Sequence, residues 1–212
     1  MIKVKKGPKP QILVKNGSKW NKEYCKAVKE YEKTKNGKKP SAKYNKPTIK
    51  QGVMDESHDK CVFCESQVSH VYYGDIEHFR PKSKYCRYAH TWSNLLYACN
   101  KCNNAKKAQF PKQDPIVKPT KENPEKFFEY DALPGGNLVR LVPLNERAEN
   151  SINIMTLNRD ELNERRGERW FELESTVEIL RAHGVSEKII EDHINPYKEN
   201  SKEYAGMFRY FF

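Results

Sequence analysis

Hydrophobic positions in this chain fall into groups, each with its own spacing. Ile2 and Val4, then Ile12, Leu13 and Val14, lie either side of Pro8 and Pro10, so residues 1–15 read as a short extended arm or edge strand. Trp20, Tyr24, Val28 and Tyr31 recur at helical spacing behind Ser18, a capping residue. They predict a helix over about 19–35, ended by Asn36-Gly37, with Cys25 off its apolar stripe. Residues 36–50 are lysine-rich, carry Pro40 and Pro47, and read as a solvated basic linker rather than a track for a phosphate backbone. Phe127, Phe128 and Tyr130, then Pro134-Gly135-Gly136-Asn137, then Leu138, Val139, Leu141 and Val142 predict a hairpin over residues 126–144.

The remainder is helical in period. Asn158 and Glu161 have the spacing of a capping box, and Leu162, Trp170, Leu173, Val177 and Leu180 form a seam that stops at Gly184. Ser186 opens a shorter helix with Ile189, Ile190 and Ile194, ended near Pro196. A last helix starts from Ser201, with Tyr204, Met207, Phe208 and Phe211 on one side. These stripes read as core, in preference to a groove for a partner helix.

Composition narrows the class. The chain has 212 residues, 32% charged and 37% hydrophobic, with a formal net charge of +11 and mean hydropathy −0.94. No apolar run approaches the roughly 20 residues of a membrane span, and the basic start lacks the apolar segment of a secretory signal. The expectation is a cytoplasmic protein with no membrane contact. The excess of lysine and arginine suits an acidic partner, nucleic acid first, although a merely basic surface has the same composition.

Six cysteines refine this picture: Cys25, Cys61, Cys64, Cys86, Cys99 and Cys102. Cys61-Val62-Phe63-Cys64 and Cys99-Asn100-Lys101-Cys102 are two knuckles, each able to turn two thiolates toward one ion. Together they satisfy tetrahedral zinc and leave no open position, so the ion is read as structural. Cys25 and Cys86 are left as ordinary thiols, because a reducing compartment disfavours a disulfide.

Between and beside the knuckles lie Gly74-Asp75-Ile76-Glu77-His78-Phe79-Arg80-Pro81-Lys82, Trp92-Ser93-Asn94-Leu95, and Cys102-Asn103-Asn104-Ala105-Lys106. A carboxylate next to a histidine can hold a hard cation while the imidazole takes a proton, if a bent or bulged strand lets both converge. This order of elements over residues 60–111 resembles the HNH, or ββα-metal, nucleases. The opening Ile2-Lys3-Val4-Lys5-Lys6 with Pro8 and Pro10, the Glu77-His78-Phe79-Arg80-Pro81-Lys82 string, and the later Leu157-Asn158 with Leu162 and Arg165 are similar to the PtuB-like HNH subunits of Septu-type and retron-associated anti-phage systems.

The resemblance implies roles. Glu77 and Asn103, with Asp75 as a candidate further ligand, would hold one Mg2+ or Mn2+. His78 would be the general base, and Asn94 would keep its loop in shape. Arg80, Lys82, Lys84 and Lys106 would sit near phosphates. Asn103 stands where histidine is commoner, which favours a hard ion over zinc at that site. His58, His70, His90, His183 and His193 match no motif position, and His90 is the one nearest the site in sequence. Trp92 is expected beneath the knuckles.

The implied activity is metal-dependent endonuclease cleavage of nucleic acid, DNA before RNA, in a complex with an ABC/SMC-like ATPase of the PtuA kind and, in retron systems, a reverse transcriptase with its msDNA. Two alternatives stay open: the same site cutting RNA, transfer RNA included, or a zinc-stabilised adaptor that binds nucleic acid without cutting it. The expected architecture is α+β. A zinc-braced ββα-metal core at 55–112 follows an N-terminal arm, helix and basic linker at 1–54, and precedes a hairpin and helical region at 113–212.

Overall fold

The computed structural model describes residues 1–69, 73–133 and 138–212. His70 and the hairpin tip Pro134-Gly135-Gly136-Asn137 lie outside the described residues.

Residues 1–10 are an arm without regular structure that lies across the core. Val4 N–H donates to the Pro119 carbonyl, and Gly7 N–H to a Glu56 oxygen at 2.7 Å. The helix α1 spans Gln11–Thr34, so it starts well before Ser18. Pro10 is its N-cap residue: a proline at a helix start removes an N–H that would have no partner there. The apolar stripe therefore begins at Leu13, and Ile12, Leu13 and Val14 belong to the helix rather than the arm. A second correction concerns the linker: Pro47–Glu56 is a helix, α2, which starts on Pro47 and buries Ile49 and Val53.

β1 (Asp75–His78) pairs antiparallel with β2 (Leu95–Ala98), and α3 (Asn100–Lys106) follows directly, giving the ββα unit. Gly74 makes this entry possible. Its φ is +60°, and a Cβ there would lie 2.3 Å from the Tyr97 ring, so only glycine fits. β3 (Phe128–Ala132) and β4 (Val139–Pro143) form the expected hairpin. α4 (Glu146–Met155), which the sequence reading missed, is capped by the Asn145 side chain.

α5 (Asp160–Ala182) carries the expected seam, with Leu162, Leu173 and Val177 buried. Its cap differs from expectation. Arg159 is the N-cap residue, and the Asn158 amide instead brackets Leu141, accepting from its N–H and donating to its carbonyl, both at 2.8 Å. α6 (Glu187–Ile194) buries Ile190 and Ile194 but exposes Ile189. α7 (Ala205–Phe211) begins later than Ser201 and buries Met207 and Phe208. One apolar core runs from the arm through the ββα unit to the C-terminal helices, so the small unit is stabilised by its flanks.

Cys25 and Cys86 are not free thiols. They form a disulfide that ties α1 to a 3-10 turn at Cys86–Tyr88, across a sequence separation of 61. The expectation of a reducing compartment had no access to the docking of α1 on this turn, where Asn21 Oδ1 accepts from the His90 N–H at 2.8 Å. Closing so long a loop restricts the unfolded chain. The Cys25→Ser/Cys86→Ser double variant should be less stable by about 2–4 kcal/mol in non-reducing denaturant melts. An unchanged midpoint would show that the bond contributes nothing to stability.

Candidate active site

The four knuckle sulfurs come together. Sγ atoms of Cys61, Cys64, Cys99 and Cys102 all lie within 4.8 Å of one another, and Cys64 and Cys99 are 3.8 Å apart. Zinc–sulfur bonds of about 2.3 Å in a tetrahedron set sulfurs roughly 3.8 Å apart, so the cluster fits zinc. α3 starts here, with the Cys99 sulfur accepting from the Cys102 N–H. Arg159, which no motif pointed to, donates from Nη1 toward the Cys102 sulfur at 3.8 Å. Four thiolates around a divalent ion leave excess negative charge, and this guanidinium offsets part of it. The neighbouring thiolates hold Arg159 in its charged form against the effect of burial.

β1 is regular. Its four residues pair one for one with β2 from Asp75↔Ala98 to His78↔Leu95, with no bulge. Side chains therefore alternate: Glu77 turns to Lys106 of α3, and His78, the last residue of the strand, turns to the Ala89 carbonyl. Asp75 and Glu77 face α3. Asn103 Nδ2 donates to Asp75 Oδ2 at 3.0 Å, and Lys106 Nζ contacts Glu77 Oε1 at 2.5 Å while also donating to the His78 carbonyl. Burial pushes the Glu77 carboxyl upward, and the Lys106 charge opposes that. Lys106 has no exposed surface, so it faces no phosphate; it is the internal counter-charge of Glu77.

Asp75, Glu77 and Asn103 thus gather carboxylate and amide oxygens on one side of β1, a donor set that fits a hard cation. The Asn103 amide oxygen remains available, because its nitrogen makes the bond to Asp75. Lys106 occupies Oε1 of Glu77, which leaves Oε2 as the carboxylate oxygen for a cation.

His78, at the end of β1, is buried against the turn that carries Ala89. Its Nε2 bonds the Ala89 carbonyl at 2.9 Å, and a carbonyl only accepts, so the proton is on Nε2. Nδ1 then carries the lone pair. It makes no hydrogen bond among the described residues, yet it is not one of the buried side-chain atoms left without a partner. Tyr44 stands edge-on to the ring, with centroids 4.4 Å apart, and Lys82 lies above the Tyr44 ring. Tyr44 is the sole aromatic residue of the segment read as a solvated linker, and that was the one available signal of its role.

Asn94 is fully engaged. Its oxygen accepts from the Arg80 N–H at 2.8 Å, and its nitrogen donates to the Arg80 and Tyr88 carbonyls. One side chain thereby closes the loop that supplies Ala89 to His78. Arg80 and Lys84 are exposed and Lys82 is half-buried. His90 is a structural residue: its Nε2 accepts from the Lys43 N–H at 2.9 Å. Trp92 does not lie beneath the knuckles but packs under the arm, with Nε1 donating to the Gly7 carbonyl and Lys6 Nζ 3.7 Å from the ring centroid.

Burial, helped by Lys82, holds His78 down to about 3, and burial with Lys43 holds His90 to about 4. Both are depressed from the ordinary histidine value, so the unfolded chain binds protons below about pH 6.5 that the folded chain refuses. Their contribution is intact above that pH and is lost on acidification toward pH 4. The melting temperature should fall steadily from pH 7 to pH 5; a flat profile would show that these imidazoles are not held neutral.

Residues 61–109 match the HNH endonuclease family. Two curated relatives are similar to this chain, both named Septu protein PtuB. The one from Bacillus thuringiensis is 30% identical over 162 residues, covering 74% of this chain and 55% of its own length. The one from Bacillus mycoides (strain KBAB4) is 26% identical over 212 residues, covering 85% of this chain and 71% of its own. The chain thus spans little more than half the length of the first relative. Among the described residues, no helix is long and apolar enough to cross a membrane.

Proposed function

Because residues 61–109 match the HNH endonuclease family and the chain is similar to proteins named Septu protein PtuB, we propose that it hydrolyses phosphodiester bonds of nucleic acid, DNA in preference to RNA. It would act as the nuclease of an anti-phage complex with an ABC/SMC-like ATPase of the PtuA kind. The observation that carries this reading is His78: an imidazole with Nε2 tied to the Ala89 carbonyl and Nδ1 making no hydrogen bond among the described residues.

In this mechanism His78 Nδ1 takes the proton of the attacking water as the new P–O bond forms and the bond to the leaving 3′ oxygen breaks. The ring is held for that task by the Ala89 carbonyl and the Tyr44 edge, and the loop by Asn94. Arg80, Lys82 and Lys84 draw the substrate backbone to this face. Asp75, Glu77 and Asn103 would hold one Mg2+ or Mn2+, which when bound relieves negative charge on the phosphoryl and leaving oxygens. The sulfur cluster would hold a structural zinc that fixes α3, and with it Asn103, against β1.

The test is incubation of the full chain, alone and with its ATPase partner, with plasmid DNA and total RNA in Mg2+, with and without ATP. Magnesium-dependent cutting of DNA is the expected result. Cutting confined to RNA would replace the substrate, and no cutting in any combination would favour the adaptor reading.

A further inference from the structure

Directly beyond His78, the chain turns into a cleft of about 500 Å³ between the ββα unit and the segment that leads to α4. That is within the roughly 300–1,000 Å³ range of sites that seat a small planar ligand. One wall holds Phe79, Arg80 and Asn94, immediately after or clamped to the His78 strand; the other holds Lys118 and Lys121, which lie outside the region matched by the HNH family.

Its charge is unbalanced. Among the described residues, Arg80, Lys118 and Lys121 have no carboxylate partner within ion-pair distance. The carboxylate that lines the cleft, Glu122, is taken up by Arg147, with Nη1–Oε1 at 2.5 Å and Nη2–Oε2 at 2.9 Å, and by the Lys118 N–H at 2.8 Å. Burial, with the charges of Arg80 and Lys121, holds the Lys118 ammonium below its ordinary value. An anion entering the cleft would relieve that repulsion. Aromatic faces accompany the cations: Lys118 Nζ lies 5.1 Å from the Phe79 centroid, and the Arg80 guanidinium lies 4.9 Å from that of Tyr88. Tyr88 is exposed, and Phe110, packed edge-on against Phe79, is half-buried.

We propose that this cleft is a nucleotide subsite that takes an unpaired base against Tyr88 and Phe110 and its phosphate on Arg80, Lys118 and Lys121, next to the scissile bond. The proposal rests on the nuclease reading above and adds the state of the substrate. A duplex hides base faces, whereas a single strand or a splayed end offers both a stacking surface and a flanking phosphate. The cleft accepts either sugar, so DNA and RNA share this chemistry.

The test measures binding of labelled single-stranded DNA, single-stranded RNA and blunt duplex DNA by fluorescence anisotropy. It uses the full chain carrying His78→Ala, so that nothing is cut, with and without Lys118→Gln/Lys121→Gln. Both single strands should bind more tightly than the duplex. The double substitution should weaken single-strand binding about ten-fold and lower the slope of log affinity against log salt by about 0.7 to 1.4, as expected for the loss of one or two phosphate contacts on a single strand. Zinc content and melting temperature should stay as in the parent. Affinity and slope unchanged by the double substitution would overturn the proposal, as would a duplex bound as tightly as either single strand, or no binding by the parent. Cleavage by the wild type, measured separately, distinguishes failure of the subsite from failure of the nuclease reading. A preference between the DNA and RNA arms identifies the natural strand.

Discussion

His78→Ala should lose cleavage by about 10²–10⁴-fold, the range associated with a positioned general base, while zinc content and nucleic-acid affinity stay near wild type. The effect is specific because the ring has one task left. Its Nε2 is already committed to Ala89, and Nδ1 is the only nitrogen able to accept a proton. His78→Gln is an informative companion. An amide can keep the contact to the Ala89 carbonyl through its nitrogen, but its oxygen is too weak a base to take the water's proton. It should fold as well as wild type and be as inactive as the alanine variant. Plasmid nicking and linearisation followed over time in Mg2+ is the measurement. Activity retained by either variant would remove His78 from the mechanism.

Losing the sulfur-held ion should be the largest stability effect in the molecule. Structural zinc contributes about 10–16 kcal/mol in isolated finger peptides. Here the flanking helices share the load, because arm, α2 and the C-terminal helices all join the same core. Cys64→Ser removes one buried ligand and should cost at least about 4–5 kcal/mol, the tail of single-substitution effects. For a chain of this size that lowers the melting temperature by about 10–20 °C. Metal analysis should find one zinc per wild-type chain and less than one in the variant. Wild type that melts identically before and after exhaustive chelation would show that the knuckles brace nothing.

These expectations draw unequally on what could be read in the residues themselves. The knuckles were legible because two thiols three positions apart have few other uses, and their spacing survives any uncertainty about the insert. The hairpin and the α5 seam were legible from period alone. What was misread depended on tertiary contact. Pro10 looked like a break in an arm, when it is the start of α1. Asn158 had a capping spacing, but Leu141 offered its amide a backbone pair. Cys25 and Cys86 carry no local signal of pairing at their separation of 61. Tyr44 and Lys118 reach the site region only because distant segments fold over it. The bend expected in β1 is absent, and the partners of its acids come from α3: Asn103 meets Asp75 and Lys106 meets Glu77.

The Lys106 ammonium has a consequence for how such a centre can exist at rest. Glu77, buried one turn of the pleat from the half-exposed Asp75, would hold an uncompensated charge away from water unless something positive stood beside it. A tethered amine does so without needing any solute, so the chain itself neutralises its buried carboxylate.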